Sequence, residues 1–193
     1  VSDLQKELGC SNKEATNMIY GGGLKIYTAV DLDVQKKLEK IYVNKTNWLD
    51  KSAQSSMTIM DYSGRVVAIV GQAGEKEGNR VLNRAADSPR PPGSTIKPLS
   101  TYAPGIELGE ITWSTYINDS AIKYNGKPWP KNYSGNYGSG RNTTVQVALA
   151  KSLNTVPARI CVNTLGTDTA YDYVKNKFHI STTVDGEDNN PAP

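Results

Sequence analysis

The chain has 193 residues and a formal net charge of +3. That length suits one domain, or one domain with an appendage, and a hydrophobic share of 37% supports a core while lying below the usual figure. Lys and Arg are spread without a run of five or six, which argues against a nucleic-acid partner. No stretch approaches the ~18 apolar residues of a membrane span, and Val1 opens no signal peptide.

Residues 3–20 predict a helix, with Leu4, Leu8 and Met18 at apolar positions and Ser11-Asn12-Lys13-Glu14 as a capping box. Gly21-Gly22-Gly23 ends it, and no P-loop pattern is present. Leu24–Val30 reads as a strand. Residues 31–45 read as a helix with Val34, Leu38 and Ile41 on one face. Residues 57–62 and 65–70 are β-rich runs joined by Ser63-Gly64, a hairpin signal. A charged, Gly-rich loop follows over Gly71–Gly78.

A helix is predicted from about Ser94 to Leu108, ended by Gly109. It opens with Arg90-Pro91-Pro92-Gly93-Ser94-Thr95-Ile96-Lys97-Pro98. Helix positions i and i+3 share a face, so the Ser94 hydroxyl and the Lys97 amine are expected side by side. A serine becomes a nucleophile when a neighbour takes its proton, and a desolvated lysine can be neutral enough to do so.

Residues 110–142 read as a long loop rich in Asn, Gly and aromatics: Trp113, Tyr116, Tyr124, Trp129, Tyr133 and Tyr137. Those rings either tie the loop down or form a sugar- or peptide-binding surface. Residues 144–151 predict a short helix capped by Thr143 or Thr144. Thr155 is then expected to cap another helix with Pro157 in its first turn. Between the two lies Ser152-Leu153-Asn154, a Ser-x-Asn on a tight connection that can aim both side chains into a cleft. Ser134-Gly135-Asn136 competes with it but has no helix to hold it.

Ser-x-x-Lys followed by Ser-x-Asn forms the first two parts of the active-serine penicillin-recognising signature. From about Gly22 to Asn163 the chain resembles the transpeptidase domain of a class A, bifunctional penicillin-binding protein. The matching stretches run from Gly23 to Asp31, from Gly64 to Gly71 and over Asn83-Arg84-Ala85. They continue over Pro92-Gly93-Ser94-Thr95-Ile96-Lys97-Pro98-Leu99, Asn132-Tyr133-Ser134, and Thr144 to Leu149 before Ser152-Leu153-Asn154. The family's third motif, Lys-Thr/Ser-Gly, is absent: Lys45-Thr46 precedes Asn47 and Lys51-Ser52 precedes Ala53.

The resemblance implies an α+β fold of the penicillin-binding protein/serine β-lactamase type, an antiparallel sheet with helices on its faces, incomplete in this chain. Residues 1–23 would be the linker from a missing upstream domain, and residues 24–193 the N-terminal part of the transpeptidase domain. It also implies a peptidoglycan D,D-transpeptidase that cross-links stem peptides through an acyl-serine and is acylated by β-lactams. Ser94 would be the nucleophile, Lys97 its base, Ser152 a proton relay and Asn154 a substrate-amide ligand. The oxyanion hole would combine the Ser94 N–H with a second N–H beyond the absent motif. No metal or cofactor is implied. The expected location is the outer face of a bacterial cell membrane, anchored by a segment outside this chain. The isolated chain is expected to be inactive, with the rest of the domain completing it in the same or a separate chain.

Two rivals remain open. A serine β-lactamase shares Ser-x-x-Lys, but its Ser-Asp-Asn has Leu153 in the middle place here. A non-catalytic β-lactam or cell-wall sensor module would carry the same motifs. Cys10 and Cys161 form no Cys-x-x-Cys or metal pattern, and Cys161 reads as a buried thiol. His179, the single histidine, reads as a surface or helix-end residue. Four Asn-x-Ser/Thr sequons begin at Asn44, Asn118, Asn132 and Asn142, close to chance for so polar a chain, and the resemblance to a bacterial family argues against glycosylation.

Overall fold

A computed structural model describes residues 1–22, 24–44 and 50–191. Gly23, the predicted end of the second helix at Lys45, the Lys45-Thr46-Asn47 triplet and Pro193 lie outside those residues. The chain divides into two compact units, Val1–Pro89 and Arg90–Pro193.

In the first unit the predicted helix 3–20 is two helices, α1 (Ser2–Leu8) and α2 (Asn12–Gly21). Gly9 takes φ 64° and ends α1. The capping box then starts α2: Ser11 accepts from the Glu14 N–H, and the Glu14 side chain accepts from the Ser11 N–H. Helix α3 (Leu32–Val43) starts at Asp31, whose carboxylate accepts the N–H groups of Asp33 and Val34. Its buried face carries Val34, Leu38 and Tyr42, whereas Ile41, expected there, is exposed. The i, i+4, i+8 row selects Tyr42, and Ile41 falls one position off it.

Strands β1 (Met57–Met60) and β2 (Val66–Val70) pair antiparallel, as the hairpin signal predicts. Their turn is tied by Asp61 Oδ1, which accepts from the N–H groups of Ser63 and Arg65. Leu38, Tyr42, Ala68 and Ala73 form the core between α3 and the hairpin. Burying a side chain such as Leu38 is worth roughly 1.5–3 kcal/mol.

Leu24–Val30 is not a strand. Its side chains are mostly exposed, and just after it the Asp31 N–H donates to Val67 O of β2 (2.8 Å). Gln35 of α3 covers the next position of that edge. Its amide oxygen accepts the Ile69 N–H at 2.9 Å, and its NH2 donates to Ile69 O at 3.0 Å. A helix side chain thus replaces the strand that the β-rich sequence suggests. The short helix α4 (Arg84–Asp87) follows, capped by Asn83.

In the second unit the predicted helix 94–108 runs through three geometries. Gly93–Ile96 is a 3-10 turn, Pro98–Tyr102 a π-helical turn, and α5 (Ala103–Glu107) an α-helix. Two prolines dictate this. Pro98 and Pro104 have no N–H to return to the preceding turn, so the helix tightens before Pro98 and widens after it.

Residues 110–142 are not one loop. Strands β3 (Tyr116–Asn118), β4 (Ile122–Tyr124), β5 (Lys127–Trp129) and β6 (Asn142–Thr144) form the antiparallel pairs β3–β6 and β4–β5. Asn125 and Gly126, both at positive φ, make the β4–β5 turn. Tyr124 packs on Trp129 with ring centroids 5.2 Å apart, whereas Trp113, Tyr116, Tyr133 and Tyr137 remain exposed.

Helix α6 (Val145–Ala150) is capped by Thr144 as expected. Helix α7 (Thr155–Ile160) begins at the predicted cap itself, one residue early, because Asn154 holds the N-cap position. A π turn over Cys161–Leu165, helix α8 (Thr167–Asp172) and a π turn over Tyr173–Lys177 follow. Tyr102, Ile111, Val145, Ala148, Val156 and Ile160 form the core of this unit. Cys161 is buried and its thiol is pushed up to about 11 by desolvation. His179 is exposed just after the last helical turn. The mixture of helices and antiparallel strand pairs fits the α+β expectation.

Candidate active site

Lys97 follows the 3-10 turn and precedes the π turn, so its side chain leaves a helix whose backbone changes geometry on either side of it. It is 1% exposed. Its Nζ lies 3.0 Å from Ser152 O, 3.1 Å from Leu153 O, 3.3 Å from Ser152 Oγ and 2.5 Å from Asn154 Oδ1. The structure therefore joins the two motifs through one amine. None of these partners is a carboxylate. Burial holds the Lys97 pKa below its ordinary 10.5, and the ring of neutral acceptors opposes that by favouring the ammonium.

The Ser152-Leu153-Asn154 turn owes its shape to strain at its first residue. Ser152 sits at φ 49°, the left-handed region that a side chain ordinarily avoids. Its N–H still donates to Leu149 O (2.9 Å), and the Leu153 N–H donates to Ala148 O (3.0 Å), closing the end of α6. The left-handed step turns both carbonyls and the hydroxyl toward Lys97.

Ser94 lies within the 3-10 turn and is exposed. Its carbonyl accepts the Lys97 N–H. Among the described residues its hydroxyl makes no hydrogen bond, and Lys97 Nζ is turned to the 152–154 segment instead. Gly93, at φ 57°, sets the chain direction into Ser94 and leaves open space where a Cβ would stand. The competing Ser134-Gly135-Asn136 makes no bond to Lys97; Asn136 instead accepts the Gly138 N–H.

Asn154 uses both ends of its amide within the protein. Its oxygen accepts from Lys97, and its NH2 donates to Lys131 O at 2.8 Å; among the described residues the second N–H of that group has no acceptor. Two residues absent from the expected set stand behind it. Asn132 Oδ1 accepts the Asn154 N–H at 2.7 Å and the Thr155 N–H at 3.3 Å. Asp119, buried, accepts the Thr155 hydroxyl at 2.5 Å and the Ser139 N–H at 2.9 Å. Burial pushes its carboxyl up, but the Thr155, Ser139 and Asn132 hydrogen bonds outweigh that and leave it below 3.8. Asn132 stood within a stretch matching the family, which was the one signal for it; nothing local marked Asp119. Among the described residues no group of three His, Cys, Asp or Glu side chains could hold a metal ion.

In a unit of mixed helices and antiparallel strand pairs, the Ser94-Thr95-Ile96-Lys97 and Ser152-Leu153-Asn154 motifs meet at the buried Lys97 amine. The family profile of the penicillin binding protein transpeptidase domain matches residues 55–192. The chain is 38% identical over 157 residues to penicillin-binding protein 1A/1B of Bacillus subtilis, covering 78% of this chain and 16% of that protein. It is 34% identical over 201 residues to penicillin-binding protein 1A of Clostridium botulinum, covering 92% and 23% respectively. The solved structure of penicillin-binding protein PonA1 from Mycobacterium tuberculosis superposes with a TM-score of 0.70 at 19% identity, over 100% of this chain and 47% of that one. A peptidoglycan synthetase from Bifidobacterium adolescentis gives 0.60 at 22% identity, over 76% and 27%. The chain belongs to the penicillin-binding protein transpeptidase domain family. It spans less than a quarter of the length of these curated relatives.

Proposed function

We propose that this chain carries the nucleophile half of a peptidoglycan D,D-transpeptidase site. The observation that carries the reading is Lys97: a buried amine with no carboxylate partner, bonded to both polar side chains of the second motif. Ser94 Oγ attacks the carbonyl carbon between two D-alanines of a stem peptide. Lys97, neutral when its proton has passed on, takes the Ser94 proton. Ser152, bonded to the same Nζ, relays a proton to the leaving amine as the C–N bond breaks. An amine of a neighbouring stem then displaces Ser94 and forms the cross-link. A β-lactam acylates Ser94 by the same attack and stays attached. The free N–H of Asn154 is the group left for a substrate carbonyl.

The chain holds no Lys-Thr/Ser-Gly triplet. In this reading that motif, with the second oxyanion donor, is supplied by residues outside these 193, in the same or a separate polypeptide, and the chain alone does not acylate. Residues 1–23 act as a linker from an upstream domain, and the site works on the outer face of a bacterial membrane. Among the described residues no helix is long and apolar enough to cross a membrane.

The test is labelled penicillin added to residues 1–193 and to a longer polypeptide carrying the third motif, with mass spectrometry of the labelled peptide. The longer protein is expected to carry the label on Ser94 and to lose it in Ser94→Ala. An adduct elsewhere, or labelling that survives Ser94→Ala, refutes the nucleophile assignment. Equal labelling of residues 1–193 alone refutes the need for the third motif.

A further inference from the structure

Helix α7 is capped by the wrong residue. Asn is among the best N-caps, because its side-chain oxygen accepts a free N–H of its own first turn. Asn154 occupies that position but makes no such bond, since its oxygen is spent on Lys97. The first N–H groups of a buried helix end must still find acceptors, and Thr155 is fully buried. Asn132 supplies the acceptor from 22 positions away, at 2.7 Å to the Asn154 N–H and 3.3 Å to the Thr155 N–H.

A side-chain amide presents an acceptor at one end and donors at the other, so Asn132 can do this in one orientation only. Asp119 selects it. The carboxylate accepts and cannot donate, and Asp119 Oδ1 stands 3.4 Å from Asn132 Nδ2. Asp119 is itself anchored. Its carboxylate also takes the Thr155 hydroxyl and the Ser139 N–H, its backbone N–H donates to Arg141 O, and its carbonyl accepts the Gly140 N–H at 2.7 Å. Gly138 passes so near that an added Cβ would lie 2.3 Å from the Asp119 carbonyl oxygen. From the α7 side, Arg159 Nη2 holds Ser120 O at 3.0 Å and Ser120 Oγ at 2.9 Å.

We propose that Asp119 and Asn132 are positioning residues of this site: they hold the Asn154 and Thr155 N–H groups at the start of α7 and thereby place the Asn154 side chain where it holds Lys97. The inference rests on the acyl-serine reading for its kinetic consequence, whereas the cap itself is readable without it. Asn132→Ala leaves the Asn154 and Thr155 N–H groups without this acceptor and lets the backbone at the start of α7 shift, which moves the Asn154 amide away from Lys97.

The experiment uses the intact protein that acylates, with two measurements. In hydrogen-exchange mass spectrometry, Asn132→Ala is expected to speed exchange in peptides containing Asn154 and Thr155 and to leave the α6 peptides unchanged. In penicillin acylation, the maximal rate falls roughly 10- to 100-fold, the cost of misplacing a reacting group, while the half-saturating concentration stays constant. Asp119→Asn alone and Asn132→Asp alone each lower that rate. The double swap, Asp119→Asn with Asn132→Asp, restores an acceptor for the α7 amides, a donor between the two side chains and an acceptor for Ser139. It is expected to acylate faster than either single variant. Unchanged exchange and rate in Asn132→Ala, or a swap slower than both single variants, overturns the proposal. Should Asn132→Ala not fold, the swap comparison decides. Absence of wild-type labelling at Ser94 sinks the acyl-serine reading, while the exchange data still decide the cap.

Discussion

Lys97 Nζ lies 2.5 Å from Asn154 Oδ1, a contact across 57 positions of sequence that ties the two motifs into one site. The amine gains an acceptor without gaining a counter-charge. Its burial therefore lowers its pKa with no carboxylate beside it to offset the shift.

Acylation therefore depends on pH in a definite direction. Burial lowers the Lys97 pKa from 10.5, and the base must be neutral to accept the Ser94 proton. The acylation rate of the intact protein should rise with pH, with its midpoint below 10.5. Stopped-flow acylation across a pH series checks this; a flat profile contradicts the role of Lys97 as base.

Lys97→Arg keeps the charge and removes the base, since a guanidinium does not deprotonate in water. Acylation should fall by orders of magnitude. The larger group must also enter a site that leaves Lys97 1% exposed, at a stability cost of about 1–3 kcal/mol. Denaturant melts and labelling separate the two effects, and near-normal labelling would make Lys97 an electrostatic partner only.

Ser152 separates strain from chemistry. Its φ of 49° costs a side chain energy that glycine avoids. Ser152→Gly should equal or exceed the wild-type stability, and Ser152→Ala should not. Both should lose acylation, because both remove the hydroxyl 3.3 Å from Lys97 Nζ. Retained acylation in Ser152→Gly excludes the relay.

Gly93→Ala tests the approach to Ser94. An added Cβ meets nothing within 4 Å, so the cost comes from φ 57° alone and should be about 1 kcal/mol. A thermal melt of the variant measures it; a stability equal to wild type would show that the backbone there relaxes freely.

Asp119 should make the protein acid-sensitive. Its folded pKa lies below 3.8, so its contribution is fully present above the ordinary aspartate value and is lost as pH falls through the folded one. Wild type should lose more stability below pH 3.8 than Asp119→Asn does. Urea melts at acidic and neutral pH give the comparison, and parallel pH profiles would show that the carboxylate is not held in its charged form.

Local chemistry made part of this protein legible from sequence. The Ser11–Glu14 capping box, the Thr144 cap and the hairpin about Ser63-Gly64 all depend on residues within a few positions of one another, and all appear in the structure. The Asn125-Gly126 turn was equally local and lay hidden inside a stretch read as one loop. Leu24–Val30 had strand propensity but pairs with no strand among the described residues, and pairing is a property of two segments. Tertiary structure alone decided that Lys97 turns to residues 152–154, that Asn132 caps a helix 22 positions ahead, and that Asp119 orients it. Each is a hydrogen bond made because burial leaves a polar group no water to use, and which distant group answers it is set by the packing of the chain.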